Sequence, residues 1–546
     1  QDNELTTLDV SNNTELKFLR CLQNEITTLD VSNNTALTIL DCSSNDITSL
    51  DVSSNTALTT LQCYDNELTS LDVSSNTALT DLRCQNNQLT SLDVSANTAL
   101  NALHCNNNQL TSLNVSANTA LTELYCGNNN QLTSLDVSAN TALNALHCIN
   151  NQLTSLDVSA NTALTSLVCY GNQLTSLDVS GAAALEELRC QNNQLTTLDL
   201  SSNTALYDLN LDGNELTSLD VSNNTALTHL YFGGNQLTSL DVSSNTALLD
   251  LNFPENQLTS LDVSSNTALF WLNCEQNQLT SLDVSSNTAL TGLLCSNNQL
   301  TYLNMKNGVT DAYTHFSAQT NSLTCIETLD PAYATANWTL ANGNIDAGVT
   351  FEVICGAAAR THWYVNTTGS DISGSGTLAS PLSSIQTAIN ASTDGDTVSV
   401  AAGTYVENIN FSGKNISVIG ADSSNTIIDG DSITTVVIFN NQENSTSLLK
   451  NFTLKNGYNS SGDTEAGGLH CIRAHPKLEN LVISGNHGGG VALYYSDSEV
   501  KNTEVKYNTS AAAFYINDDS PTLTNVYIKN NNGEKGLHIG HSDYTF

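Results

Sequence analysis

One stretch, Leu-Thr-Ser-Leu-Asp-Val-Ser-x-Asn-Thr-Ala-Leu-Thr-x-Leu-x-Cys-x-x-Asn-Gln, returns along the first three hundred residues and limits what the chain can fold into. The leucine before Asp-Val falls at Leu8, Leu29, Leu50, Leu71, Leu92 and Leu113. After one extra residue near Asn128 it resumes at Leu135 and continues through Leu156, Leu177, Leu198, Leu219, Leu240, Leu261, Leu282 and Leu303. The step is 21 residues, with a single 22. A fixed period of this size marks a solenoid, in which each unit buries its apolar edge only against its neighbours.

Within a unit, Leu61 and Cys63 alternate with polar Gln62. That period of two predicts a short strand with its apolar side inward. The Asn that follows, at Asn24, Asn45, Asn66, Asn87 and onward to Asn298, is expected to turn inward and hydrogen-bond the backbone of the bend. A buried amide without partners is costly. The half-unit Leu58-Thr-Thr-Leu61-Gln-Cys63-Tyr-Asp-Asn66 resembles the leucine-rich repeat pattern L-x-x-L-x-L-x-x-N, with Cys in the second core slot. The resemblance covers residues 1–305 and implies a parallel solenoid with a concave strand face.

Fourteen cysteines are present. Eleven share one column: Cys21, Cys42, Cys63, Cys84, Cys105, Cys126, Cys148, Cys169, Cys190, Cys274 and Cys295. The same column holds Leu211, Phe232 and Phe253. A slot that takes Leu and Phe wants a buried hydrophobe, so these are expected to be free, buried thiols. Parallel inward Cβ vectors suit a disulfide dihedral poorly.

The net charge is −39 although only 13% of residues are charged. Acid is concentrated in a column of thirteen aspartates, Asp9, Asp30, Asp51 and on to Asp283, with Asn114 and Asn304 in two places. Carboxylates on stacked repeats roughly 5 Å apart repel by about 1 kcal/mol in water, less in salt. The column reads as a solvated acidic stripe; collection of Ca²⁺ or another divalent cation is the alternative, and no other cofactor is implied. Without a basic patch to meet phosphates, nucleic acid is disfavoured and is not expected as a partner. No apolar run is long enough for a transmembrane helix. No signal peptide is recognisable, and the chain starts in mid-repeat and ends at Asp543-Tyr-Thr-Phe546 without a cap. These features are expected of an internal piece of a longer polypeptide.

Against the constant column, the slot between the strand Leu and the Cys changes from unit to unit. It includes Arg83, His104, Tyr125, His147, Val168, Arg189 and Tyr231, with Arg20 and Asp41 before them. The slot after the Cys includes Tyr64 and Tyr170. Alternation points both slots outward. Aromatic, His and Arg side chains dominate recognition hot spots, so Arg83, His104, Tyr125, His147, Tyr170, Arg189 and Tyr231 are the candidate ligand-binding residues. Neutral drift on a solvated face is the plain alternative.

Repeat order fades after Leu303. Residues 306–355 resemble the C-terminal cap that follows this repeat type in secreted proteins of the Bacteroidetes, and a Cys325–Cys355 bridge fits such an extracellular cap. Residues 356–361 read as a linker. From Trp363 the pattern closely resembles the opening of right-handed parallel β-helix domains of the pectate-lyase-like superfamily. A helix over Ile385–Ala391 would cap that β-helix. Coils then start at Asn451, Asn480, Asn502 and Asn525, so residues 362–546 are expected to form the first part of the domain. In that superfamily, polysaccharide lyases use Ca²⁺ held by carboxylates and an Arg or Lys base. Asp429, Asp431, Lys450 and Arg473 are the matching residue types, but they form no cluster in sequence. His470, Cys471 and His475 have ligand chemistry, yet alternation turns Cys471 inward and His470 outward, against a shared metal.

The fold class expected is therefore all-β, two solenoids in tandem. The function expected is recognition or adhesion without catalysis, by a secreted or cell-surface protein binding an extracellular glycan or protein. It would act as part of a larger surface assembly, exported by the type 9 system as the resemblance implies. The alternatives are a carbohydrate-active, polysaccharide lyase-like β-helix enzyme with a repeat-domain targeting arm, and a mechanical spacer in a surface fibre.

Overall fold

The computed structural model describes residues 3–129, 131–356, 360–460, 466–509, 512–517, 520–533 and 535–540. The expected linker therefore lies partly, and the terminal Asp543–Phe546 wholly, outside the described residues. The chain divides into two compact units. The first comprises Gln1–Tyr302, Ala312–Leu323 and Leu340–Ala347; the second comprises Leu303–Asp311, Thr324–Thr339 and Gly348–Phe546.

The first unit is built on one 15-stranded parallel sheet that runs from Phe18–Arg20 to His315–Ser317. Each strand is three residues long and pairs with the next repeat in register, as in Leu61↔Leu82 and Leu82↔Leu103. The middle residue is buried and its two neighbours face outward, as alternation requires. Leu58, Leu61, Cys63, Leu68 and Val73 are all inaccessible, and their equivalents from Leu37 to Leu300 are buried. Burying each such side chain contributes about 1.5–3 kcal/mol. The column cysteines are free and buried. Where the column carries Phe, the rings of Phe232 and Phe253 stack at 5.0 Å.

The Asn after each Cys completes the bend of the repeat before it. Asn108 Nδ2 donates to the carbonyls of Cys84 and Cys105 at 3.0 and 3.1 Å, and its Oδ1 accepts from Leu89 N at 3.0 Å. The same rung recurs from Asn24 with Leu5 N to Asn321 with Leu300 N. One rung is broken: Asn151 still donates to Cys126 and Cys148, but its Oδ1 is buried with no partner. This is the repeat that follows the 22-residue step. A second ladder escaped the sequence reading. The Asn of the Val-Ser-x-Asn turn, such as Asn55, is inaccessible and donates to Val31 O at 2.9 Å and Asn34 O at 2.9 Å, both in the preceding repeat. Behind Asn321 the stack closes on a carboxylate: Asp346 accepts from Thr320 N and Asn321 N, each at 3.0 Å.

In the second unit, Cys325 and Cys355 are joined, with Cα atoms 5.8 Å apart. Beside the bridge, Glu327 takes Cys355 N on Oε1 and Lys306 Nζ on Oε2 at 2.8 Å, an almost fully buried pair. Helix α1, Pro331–Asn337, starts with Asp330 accepting from Tyr333 N. Helix α2 spans Ile385–Ala391, capped by Ser384. It packs on His362–Val365 and Thr397–Val400, the first strands of a parallel array. From there each coil supplies up to three strands to parallel sheets, for example Leu448–Lys450, Thr453–Lys455 and Leu469–Ile472. Trp363, Phe411, Phe439, Phe452 and Phe514 fill its core. The coil-starting asparagines sit at positive φ, from 51° to 67°, and their amides chain from Asn525 to Asn502, Asn480 and Asn451. Asn tolerates this left-handed turn better than most residues.

Candidate strand-face binding site

The outward residues of the three-residue strands form two columns on the sheet of the first unit. Within the second column, His104 stacks on Tyr125 at 4.4 Å and Tyr125 on His147 at 4.3 Å. These repeats are adjacent in register, so the strand spacing itself sets the ring spacing. His104 Nε2 lies 3.4 Å from Glu123, and His147 Nε2 lies 3.4 Å from Ser166 Oγ. Ser166 donates to Glu187, which pairs with Arg189 at 2.8 Å. Arg189 also meets Asp208 at 2.7 Å. Burial lowers the pKa of both imidazoles, aided at His104 by Arg83. At neutral pH the rings are therefore neutral and present aromatic surface rather than charge. Burial raises Tyr125, and hydrogen bonding to Asp208 raises Arg189.

The remaining candidates are not part of the ring stack, although Arg83 is the in-register neighbour of His104. Arg83 pairs with Asp81 at 3.1 Å. Tyr231 donates to Asp250 at 2.9 Å. Tyr170, half-buried after Cys169, is not part of the ring column. Two slots expected to face solvent do not. Asp41 is buried, its Oδ1 accepting from Ser43 Oγ at 2.6 Å, and Val168 is buried as a hydrophobe. Sequence reasoning also passed over the first strand slot, which carries Asp208, His229, Asp250, Trp271, Gly292 and His315. The signal was available, because the residue before the strand Leu points the same way as the residue after it.

Each acidic-column aspartate closes a local turn: Asp51 Oδ1 accepts from Ser53 N at 2.9 Å. From Asp9 to Asp262 these hydrogen bonds to serine hold the carboxyl below its usual range, and they outweigh repulsion between neighbours such as Asp30 and Asp51. The column is thus partnered along its length and fully exposed.

Among its described residues the second unit assembles no comparable site. Asp429 pairs with Lys455 at 3.1 Å, Lys450 with Glu479 at 2.8 Å, and Arg473 lies over Tyr495. Asp431 is exposed in a turn, its backbone N donating to Asp429. His470 is buried together with Cys471, contrary to the outward position expected of it, and His475 accepts from Asp497 N. No group of three metal-ligating side chains occurs among the described residues. A cleft of about 960 Å³ is lined by Thr310, Asp330, Asn390 and Lys414. Lys414 Nζ, pushed down to about 8 by burial, donates to Ile389 O and Asn390 O and so closes the end of α2.

No family model matches the chain, and no curated protein does. Among solved structures, the functional domain of InlJ from Listeria monocytogenes, which includes a cysteine ladder, is 33% identical, with TM-score 0.55, covering 72% of this chain and 76% of its own. The chain belongs to the leucine-rich repeat family. A plant peptide hormone receptor, RGFR1 in complex with RGF2, shares the fold at 12% identity and TM-score 0.53, covering 96% of this chain and 94% of the receptor chain. An internalin, InlF, from Listeria monocytogenes is 24% identical at TM-score 0.46, covering 52% of this chain and 86% of its own. The fold is an all-β parallel solenoid, with leucine-rich repeats in the first unit. Among the described residues no helix is long and apolar enough to cross a membrane.

Proposed function

We propose that this leucine-rich repeat protein is a non-catalytic recognition protein, secreted or held at the cell surface, that binds a protein or glycan on the strand face of its first unit. The observation that carries the reading is the ring column His104–Tyr125–His147, bordered by Arg83 and Arg189. It is a unique order of side chains on an otherwise repetitive scaffold, whereas the Asp column offers every partner the same field. A preformed aromatic surface suits stacking, and its rim suits hydrogen bonding. Binding of RGF2 by RGFR1, on the same fold, is in keeping with a protein partner. Residues 362–546 are proposed to be the first part of a right-handed parallel β-helix of the pectate-lyase-like type, preceded by a cap over 306–355. The β-helix reading is supported by the parallel sheets and by α2 at their start. The reading calls for no cofactor and no nucleic acid.

The test is a Tyr125→Ala/Tyr170→Ala variant assayed against surface proteins and glycans. Loss of binding with an unchanged melting profile supports the reading, because neither side chain fills the core. Unchanged binding, with loss on converting the Asp column to Asn, would move the site to the acidic column and overturn it.

A further inference from the structure

Between Arg189 and Lys306 the chain carries eleven carboxylates and no lysine or arginine. On the strand face of this stretch, Asp208, His229, Asp250, Trp271, Gly292 and His315 follow one another in register. The six-membered ring of Trp271 occupies the space that a side chain at 292 would fill: a Cβ on Gly292 would lie 2.2 Å from Trp271 Cε3. The indole therefore lies along the sheet, one repeat beyond its own, and meets His315 edge-on at 5.3 Å. It remains half-exposed, whereas Trp338 and Trp363 are buried. One repeat before it, Asp250 takes a hydrogen bond from Tyr231 Oη at 2.9 Å, and burial raises its pKa. Asp208 has Arg189 as its cation; Asp250 has none, and its basic neighbour in the column is His229, whose Nδ1 lies 2.9 Å from Thr228 Oγ1.

An open aromatic face beside a carboxylate without a resident cation is what a lysine ammonium or an arginine guanidinium requires. The ring face attracts the charge, and the carboxylate, whose Oδ1 is buried without a partner and whose Oδ2 takes Tyr231 Oη, supplies the opposite charge. The field favours the same ligand. Residues 1–302 hold 31 carboxylates against four cations, which concentrates cationic partners at the surface and repels anionic ones. A neutral sugar could use the indole but would gain nothing from that field.

We propose that Trp271, Asp250 and Tyr231 form a site for a lysine or arginine side chain presented by a basic segment of a protein partner. Trp271 is the platform, Gly292 the space that lets it lie flat, and Asp250, oriented by Tyr231, the counter-ion. The proposal rests on the strand-face reading and names the chemistry of its partner.

The experiment uses the full chain and four probes: a twelve-residue lysine–serine peptide, its arginine–serine and glutamate–serine counterparts, and a neutral β-linked hexasaccharide. Binding is followed by calorimetry and by tryptophan fluorescence, since Trp271 is the half-exposed indole. The expected result is binding of both basic peptides with a change in fluorescence, weakened by salt. Trp271→Ala and Asp250→Asn should each lower affinity about tenfold, and Gly292→Val should do the same by displacing the ring. Circular dichroism and Trp271→Phe, which keeps an aromatic face, separate binding loss from misfolding. Hexasaccharide binding that is lost in Trp271→Ala would overturn the cationic ligand while leaving the strand face as the site. Basic-peptide binding that ignores Trp271 and Asp250 but vanishes when the Asp column is made Asn would overturn both readings. Binding of no probe would overturn the proposal.

Discussion

Replacing Asn108 by Ala should cost about 3 kcal/mol, and the loss should be local. The amide makes two short bonds to Cys84 O and Cys105 O and accepts from Leu89 N. The carbonyls do not become orphans, because Asn87 still donates to Cys84 O and Asn129 to Cys105 O. Leu89 N, in contrast, has no other acceptor in the bend. A buried donor left unsatisfied costs about 1–3 kcal/mol, and a lost neutral hydrogen bond about 1 kcal/mol. The control is built into the chain. Asn151 donates to the corresponding carbonyls but its Oδ1 accepts nothing, so Asn151→Ala lacks the orphaned N–H term and should cost about 1–3 kcal/mol less. Exposed Gln109→Ala should change stability by less than about 0.5 kcal/mol. Urea unfolding gives the three values, and hydrogen exchange should show the Leu89 amide losing protection while distant repeats keep theirs. Equal losses for Asn108→Ala and Asn151→Ala would refute the idea that the acceptor rung is what matters.

The buried ladder cysteines, with Cys84 pushed up to about 12 by burial, should resist alkylation at pH 8 until the chain is unfolded, as read by mass spectrometry. Reducing the Cys325–Cys355 bridge, which spans 30 residues, should destabilise the second unit by about 3.5 kcal/mol from loop entropy alone, measurable as a lower urea midpoint. The Asp-column carboxyls from Asp9 to Asp262 titrate lower when folded than when unfolded, so their stabilisation is complete above the unfolded value near 3.8 and is lost as pH falls through the folded values. Ser53→Ala with Ser74→Ala should shrink that acid limb in a pH series of unfolding curves. His104 and His147 should titrate below 6.5 by NMR. Their contribution to stability is full above 6.5 and declines as pH falls toward the folded values.

The repeats were legible because period, alternation and the inward Asn all follow from one strand-and-bend geometry that the chain restates many times. Helix α2 was legible from its local pattern and lies over Ile385–Ala391 as expected. What could not be read was anything set by a neighbouring repeat. Asp41 looks like an outward polar residue until Ser43 folds over it. Trp271 looks like one more variable residue until Gly292, 21 positions on, proves to be the room it occupies. Asn55 sits in a motif whose turn the sequence reading passed over, and its amide reaches back to Val31 in the preceding repeat. The broken rung at Asn151 lies in the repeat after an inserted residue that was visible in the period, but the break itself needed the bend in three dimensions.

Both asparagine ladders reach the same way. Asn108 serves Cys84 and Leu89, and Asn55 serves Val31 and Asn34, always in the repeat already made. A chain emerging from a ribosome or an export channel amino end first therefore carries, at every moment, a newest repeat whose bend is still unsatisfied. Ordering must trail elongation by one repeat, and it can stop only where another group takes over the duty. Asp346 does so when it receives Thr320 N and Asn321 N. Trimming repeats from the front takes away the carbonyls to which the next repeat's asparagines donate, as Val10 O and Asn13 O serve Asn34. Ending synthesis early, before Asp346, leaves the growing end open to whatever backbone it meets next.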